Sequence, residues 1–178
     1  MAQSYRCSSV WRVAGTVNEV MAVLADVESL PRWWPSVYRS VSTLSEGRAD
    51  GVGRRVSLRT TGWLPYSLHW VSTLTEPVTR HGFAVAASGD LAGTGQWTFE
   101  QDGPEVVLTF QWSVSANKPL VRRLSWLCRP AFAANHRWSM ARGEESLRLE
   151  LRRRRATPHA LDHIPQPPRA TFAALGSS

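Results

Sequence analysis

EVVLTFQWSV, residues 105–114, alternates large apolar side chains with smaller or polar ones over its whole length. This period of two is typical of a β-strand that has one buried face. Asp102-Gly103, just ahead of the strand, is a hairpin signal that predicts antiparallel pairing with the run before it. The side chains expected on the buried face are Val106, Leu108, Phe110, Trp112 and Val114.

Several more runs of strand character precede this hairpin. Turn signals such as Glu46-Gly47 and Gly89-Asp90 separate them. Another run, residues 5–13, opens the chain, so seven strands are expected and the last six are consecutive. This order predicts an antiparallel sheet with one covered face. The five middle runs are residues 37–44, 53–61, 66–75, 80–87 and 91–101.

Helical patterns flank the run of six strands. Thr16 with Glu19 three residues later is a capping-box signature for a first helix. A short second helix is expected from about residue 28, and Trp33-Trp34 should lie in a turn or at its end, because Pro31 and Pro35 confine it. Pro130 should break or kink the chain. Beyond it, one long helix is predicted from apolar spacings of three and four at Phe132, His136, Met140, Gly143, Leu147 and Leu151.

This element order predicts an α+β fold in which the long helix covers the concave face of a curved antiparallel sheet. The apolar stripe of the long helix carries His136 and Gly143 at positions where Leu would fill space. A helical Gly costs about 1 kcal/mol relative to Ala, so Gly143 indicates close approach to the sheet. An aromatic face that its helix does not fill predicts a small-molecule cavity. That face holds Trp70, Phe83, Trp97, Phe99, Phe110 and Trp112.

Composition limits the class of protein. The chain has 178 residues, about one domain, and its 43% hydrophobic content excludes a wholly disordered protein. No apolar run is long enough for a membrane span and the start lacks a secretory signal, so we expect a cytoplasmic protein. The two cysteines have no metal-ligand spacing, and the sequence lacks a dinucleotide loop. We therefore expect neither a metal nor a cofactor.

The net charge of +7 is unevenly distributed, because residues 152–178 contribute five arginines and one aspartate. Arg152–Arg155 fits a nucleic-acid patch or, more simply, a solvated helix C-terminus that suits the helix dipole. The shortness of the run favours the second interpretation, so no nucleic-acid partner is expected. The Pro-containing residues 156–178 are expected to form a disordered tail.

Four stretches of the sequence are distinctive: Val27–Pro35 with its Trp-Trp-Pro, Gly62–Trp70, Gly89–Trp97 and Asn135–Gly143. They resemble the bacterial polyketide cyclase/dehydrase-like branch of the START/Bet v 1-like (SRPBCC) superfamily, and the resemblance covers roughly residues 5–151. It implies a helix-grip domain, here residues 1–155, whose sheet wraps around the long C-terminal helix. It also implies binding of an apolar ligand in the cavity, with or without chemistry on that ligand.

His136 is the first candidate for chemistry, because an imidazole on the inner stripe would suit a general acid or base. The alternative is a hydrogen-bonded core histidine. Asn135 would orient a ligand carbonyl or bond helix or loop backbone, and Tyr66 would donate its hydroxyl to a ligand or anchor its loop. Trp33 and Trp34 are candidate gates at the cavity mouth, or a plug in the core. The other expected ligand contacts are Trp70, Phe83, Trp97, Phe110, Trp112 and Met140.

Three functions are compatible with these residues. The first is a carrier or sensor of a hydrophobic, aromatic or polyketide-like molecule, and the small number of polar groups expected in the cavity favours it. The second is a polyketide cyclase/aromatase or dehydratase in which His136, with Tyr66 or a bound water, moves protons at an enolate. The third is nucleic-acid binding through Arg152–Arg155. A monomer or a homodimer is expected.

Overall fold

The computed structural model describes residues 4–116 and 125–171. Helices and strands follow one another in the expected order. The elements are β1 (Ser4–Ala14), α1 (Val17–Ala25), a 3-10 turn (Val27–Ser29), α2 (Leu30–Trp33), β2 (Tyr38–Ser45), β3 (Arg55–Thr61), β4 (Ser67–Thr79), β5 (Gly82–Gly89), β6 (Leu91–Asp102), β7 (Glu105–Ala116), α3 (Ser125–Arg155) and α4 (Pro158–Leu161).

All seven strands form one antiparallel sheet in the order β1-β7-β6-β5-β4-β3-β2. Consecutive strands pair as hairpins from β2 to β7, and β1 then pairs with β7 from Ser4↔Ser115 to Ala14↔Glu105. The parity predicted for β7 holds: Val106, Leu108 and Val114 are buried. The α+β helix-grip prediction is therefore confirmed, with α3 packed against β1, α1 and α2.

The first helix begins as its capping box predicts. The backbone N–H of Glu19 donates to Thr16 Oγ1 at 3.3 Å, and the Glu19 carboxylate accepts from the Thr16 N–H at 2.8 Å. Val20, Val23 and Leu24 are buried on the sheet side of α1. The capping box thus fixes the point at which the chain leaves β1 and begins α1.

Of the break or kink expected at Pro130, the break does not occur, because α3 runs continuously through this residue. A proline inside a helix removes one backbone hydrogen bond and costs about 3 kcal/mol. Packing of α3 on β1, α1 and α2 outweighs that local cost. The apolar stripe predicted for this helix does face inward, since Met140, Leu147 and Leu151 are buried.

The chain keeps a defined course beyond α3. Helix α4 follows directly, Pro167 and Ala170 are buried, and the Arg153 guanidinium donates to the Pro165 carbonyl. These contacts bring residues 156–171 back to the body of the domain, while the disordered tail expected over residues 156–178 stays a prediction. Residues 172–178 lie outside the described part.

Two arginines of the basic run are engaged in ion pairs inside the domain. Arg154 Nε lies 2.8 Å from Glu150 Oε1, and Arg154 Nη2 lies 3.2 Å from Asp26 Oδ2. Arg155 Nε lies 2.6 Å from Glu19 Oε1, the carboxylate of the capping box. These contacts join the last turn of α3 to α1, which favours a structural role for this half of the run.

Within residues 4–116 and 125–171, no helix combines the length and apolar character that crossing a membrane requires.

Candidate functional site

A cavity of about 510 Å³ lies between the concave face of the sheet and α3. One reason for the free space is that β5 and β6 carry small residues at positions facing the inside of the curved sheet. Ala87 and Gly95 are buried there, and Gly93 continues the same row. At Gly95 a Cβ atom would lie 2.6 Å from Cε3 of Trp112, so the absent side chain is what lets that indole lie flat on β6.

A row of aromatic rings forms much of the sheet-side wall. Trp97 and Phe110 stack at a centroid distance of 4.5 Å and an interplanar angle of 27°. Phe110 and Trp112 stack at 5.5 Å, and Trp70 lies 5.8 Å from Trp112. The Trp70 indole N–H is satisfied by Thr60 Oγ1 at 3.1 Å. All four rings and Phe83 line the cavity, where the sequence expects them.

Trp33 and Trp34 are both buried, and they differ in their relation to the cavity. Trp33 is 0% exposed and outside the cavity lining, and Trp34 is 4% exposed. The Trp34 ring contacts Trp11 of β1 at 5.4 Å and Tyr38 at 5.2 Å. Helix α2 packs this segment against α3 and β1, which favours the core-plug alternative for Trp33. Only Trp34 reaches the cavity wall.

His136 of α3 lies on the cavity wall near Met140, as its place on the apolar stripe predicts. Its Nε2 is 3.3 Å from the hydroxyl of Ser9 on β1. Burial lowers the pKa of the imidazole, because the charged form loses its hydration there. The ring is therefore neutral at pH 7, in a position to exchange hydrogen bonds with a molecule in the cavity.

Asn135 mainly holds a loop. Its Oδ1 accepts the backbone N–H of Trp63 at 2.9 Å and approaches that of Leu64 at 3.5 Å. Gly62 permits this, because a Cβ atom there would lie 2.6 Å from Asn135 Nδ2. Asn135 also lines the cavity, yet the structure favours the backbone-bonding alternative over a role in orienting a ligand carbonyl.

Replacing Asn135 with Ala should release the loop after β3. The backbone N–H of Trp63 would lose its acceptor, so its hydrogen exchange should accelerate by about fivefold, corresponding to a loss of about 1 kcal/mol. Exchange measured by mass spectrometry on the loop peptide checks this. Asn135→Asp, which keeps an acceptor oxygen, is the control, and equal acceleration in both variants would contradict the anchoring role.

Tyr66 lies on the wall opposite Phe132, with ring centroids 6.4 Å apart, and Tyr5 approaches the same phenylalanine at 5.9 Å. The Tyr66 carbonyl accepts from the Thr61 hydroxyl at 3.2 Å, which fixes the turn into β4. Tyr66 is thus both a wall residue and a loop anchor. This position is compatible with a hydroxyl that donates to a ligand and with anchoring of the loop.

Tyr38 is a site residue that sequence reasoning missed. Its side chain lines the cavity, and burial raises the pKa of its hydroxyl to about 12. Among the described residues none hydrogen-bonds to this hydroxyl, so the group is available to a ligand. The only local signal was its place at the start of β2, and the short polar run after it gave no clear inner face.

The cavity lining is mainly apolar, and its described part contains no carboxylate. Cys7 contributes a thiol whose pKa is raised by burial, and Arg6, which is exposed on the outer face of β1, borders the lining. The remaining polar groups are hydroxyls, the Asn135 amide and the neutral His136 ring. The site therefore suits an uncharged or weakly acidic molecule better than a cation.

The family and the solved structures that this chain resembles agree with the fold described above. The sequence profile of a family described as polyketide cyclase / dehydrase and lipid transport matches residues 6–151. No curated protein sequence matches the chain. Many solved structures share its fold, and three of them are the following.

The first is a protein from Thermus thermophilus, at 13% identity and TM-score 0.66, covering 86% of this chain and 100% of that one. The second is the Zhui aromatase/cyclase from Streptomyces sp. R1128, at 19% identity and TM-score 0.64, covering 86% and 98%. The third is a START superfamily protein from Mycobacterium smegmatis, at 18% identity and TM-score 0.55, covering 76% and 98%. At these identities the likeness concerns the fold.

Proposed function

Because the chain belongs to the polyketide cyclase/dehydrase and lipid transport family, we propose that it binds an apolar, aromatic or polyketide-like small molecule in its cavity as a carrier or sensor. The observation that carries this proposal is the cavity of about 510 Å³ beneath α3. Its size lies within the range of ordinary small-molecule sites. The helix and sheet therefore leave room for a ligand that their own side chains do not fill.

The aromatic row supports a ligand with flat, unsaturated parts. Trp97, Phe110 and Trp112 hold their rings within 27° of one another from neighbour to neighbour. A ring or conjugated chain that lies against such a wall gains stacking energy of about 0.5–1.5 kcal/mol per ring beyond simple burial. A saturated lipid would gain only the burial.

The polar content of the cavity favours carriage over catalysis. Acid–base chemistry on a polyketide chain needs convergent groups that change protonation near neutral pH. Here Tyr38 has a pKa of about 12, His136 is neutral, and no carboxylate belongs to the described lining. A carrier needs only shape, apolar surface and a few hydrogen bonds.

Native mass spectrometry of the freshly purified protein, followed by extraction into organic solvent, tests the proposal directly. We expect an apolar compound to co-purify and to leave the protein on extraction. A protein that carries no such compound and also fails to bind the apolar fluorescent probe N-phenyl-1-naphthylamine would contradict the proposal.

A large side chain placed inside the cavity should weaken ligand binding without unfolding the protein. Ser72 of β4 faces the cavity, so Ser72→Phe should weaken binding of N-phenyl-1-naphthylamine by about tenfold or more. Thr73→Phe places the same ring on the next residue, whose parity is opposite and which is outside the lining. Equal probe affinity in the two variants, measured by fluorescence titration, would show that the probe binds elsewhere.

The alternative function is a cyclase/aromatase or dehydratase in which His136 moves a proton. Its support is the position of this imidazole on the wall, next to the space a ligand would occupy. If turnover of a poly-β-keto thioester is found, His136→Ala should lower it by about 10²–10⁴. The exposed His159 of α4 provides the matched His159→Ala control, and unchanged turnover in His136→Ala would exclude this residue from the mechanism.

Nucleic-acid binding through Arg152–Arg155 has less support, because Arg154 and Arg155 are engaged with carboxylates of α1, α3 and the turn after α1.

A further inference from the structure

The contact between Ser9 and His136 joins the edge strand β1 to the middle of α3, 127 residues apart in the chain. Ser9 Oγ and His136 Nε2 are 3.3 Å apart, within hydrogen-bond distance. No other described residue hydrogen-bonds to either side chain. Because Nε2 is occupied by Ser9, Nδ1 is the ring nitrogen that remains for a molecule in the cavity.

Two arrangements of hydrogens satisfy this geometry. In the first, the Ser9 hydroxyl donates to an unprotonated Nε2, and the ring proton sits on Nδ1. In the second, Nε2–H donates to the Ser9 oxygen, and the hydroxyl hydrogen then needs another acceptor. Ser9 is outside the cavity lining, and the described residues offer its hydroxyl no further acceptor.

The cost of an unused hydrogen separates the two arrangements. A buried donor without an acceptor costs about 1–3 kcal/mol. Ser9 is half-buried and does not meet the cavity, whereas the His136 ring lies on the cavity wall, where a ligand or cavity water can accept from it. In the first arrangement, the Ser9 hydroxyl hydrogen has Nε2 as its acceptor, and the Nδ1 hydrogen can reach an acceptor in the cavity.

We infer that Ser9 is a positioning residue whose hydroxyl donates to Nε2 of His136 and holds the ring as the Nδ1–H tautomer, so that the cavity offers an N–H donor to a ligand oxygen. This inference rests on the proposed ligand-binding function and narrows it. The ligand is an apolar molecule that carries an acceptor oxygen, such as a ketone carbonyl, within reach of His136.

The neutral state of the ring supports the inference. Burial lowers the imidazole pKa, and only a neutral imidazole has a lone pair that can accept from Ser9. An imidazolium would donate from both nitrogens and could not accept from the Ser9 hydroxyl. In the neutral Nδ1–H form, His136 binds a carbonyl as a hydrogen-bond donor.

The tautomer is measurable without a ligand. Long-range ¹H–¹⁵N spectra of the full chain at pH 7 distinguish protonated from unprotonated ring nitrogens, and the His136→Gln variant identifies the signals of His136. We expect a protonated Nδ1 and an unprotonated Nε2 in the native protein. Ser9→Ala should shift the ring toward a mixture of tautomers, and Ser9→Thr should restore the native pattern.

Ser8→Ala is the matched control, because Ser8 is the exposed neighbour on the outer parity of β1. It should leave the His136 signals unchanged. A native ring protonated on Nε2, or a tautomer that does not respond to Ser9→Ala, would overturn the inference.

A pair of probes tests the ligand side. Fluorene and 9-fluorenone have nearly the same flat shape, and only the second carries a carbonyl oxygen. We expect the native protein to bind 9-fluorenone about 3- to 10-fold more tightly, the contribution of one net hydrogen bond, and Ser9→Ala to lose most of that preference. Equal affinities in the native protein would overturn the ligand part of the inference while leaving the proposed function intact.

Failure of the proposed function has a different signature. If neither probe binds and no apolar compound co-purifies, the proposed function is wrong, and the inferred acceptor-bearing ligand is wrong with it. The ring spectra then decide the Ser9–His136 arrangement on their own.

Discussion

Replacing Arg32 and Arg154 together with methionine should lower the free energy of unfolding at pH 7 by about 3 kcal/mol, because it leaves a buried carboxylate unpaired. Glu150 on α3 is 1% exposed. Its Oε1 lies 2.6 Å from Arg32 Nη2 and 2.8 Å from Arg154 Nε. Methionine keeps the apolar stem of each side chain, so the change isolates the loss of charge and hydrogen bonds.

The effect should depend on pH in a defined direction. Burial raises the pKa of Glu150, but hydrogen bonds from Arg32 and Arg154 outweigh it, and the folded-state pKa lies below the usual range. The ionised pair therefore stabilises the fold above the unfolded-state pKa of about 4.3, and that stabilisation is lost as the pH falls through the folded-state pKa. The difference in the free energy of unfolding between the native protein and the variant should become smaller below about pH 4.

Urea unfolding at pH 7 and at about pH 3 measures both quantities. The control is Arg39→Met with Arg152→Met, two exposed arginines for which the described residues provide no ion pair. This control should change the free energy of unfolding by no more than about 0.5 kcal/mol. A loss of equal size in both double variants would mean that net charge, and not the Glu150 network, is responsible.

Gly143→Ala should destabilise the protein by about 1–3 kcal/mol, although alanine is the better helix former. A Cβ atom at this position would lie 2.6 Å from Cε2 of Trp34 and 2.7 Å from Cη2 of Trp11. Both indoles are buried and contact each other, so neither can move away cheaply. The steric cost should exceed the gain of about 1 kcal/mol in helix propensity.

Two comparisons separate packing from propensity. Ala141→Gly, an exposed site two residues earlier on α3, should cost about 1 kcal/mol from propensity alone. Trp34→Phe removes ring atoms that the new methyl group would meet, so it should reduce the penalty of Gly143→Ala in a double-mutant cycle. A stabilising Gly143→Ala, measured by thermal or urea unfolding, would show that α3 is free to shift away from the two indoles.

The alternation of residues 105–114 was sufficient to predict the sheet, because side-chain direction in a strand follows directly from parity. The capping box at Thr16 and the inward side of α3 were equally local. The close approach at Gly143 was also predictable, since a helical glycine on a buried stripe needs a steric reason. Each of these predictions depends on a few neighbouring residues.

Other features depend on contacts between segments distant in the chain. Trp33 is core because α2 packs on α3, and nothing within the Trp-Trp-Pro segment indicates that direction. Tyr38 belongs to the site only because distant segments enclose the cavity beside it, and Ser9 only because its hydroxyl contacts His136. Pro130 shows the converse case, in which a strong local signal is overridden by packing along the whole helix.

The pairing of Ser4–Ala14 with Glu105–Ala116 has a consequence for how the chain is made. The first strand emerges from the ribosome without its partner, and about a hundred more residues must be synthesised before that partner exists. Pairing over such a sequence separation is slow to form, and an unpaired strand edge is prone to association. Of the outward side chains of the strand, Arg6, Ser8 and Arg12 are hydrophilic and only Val10 is apolar, so the outer face of the unpaired strand stays mostly polar.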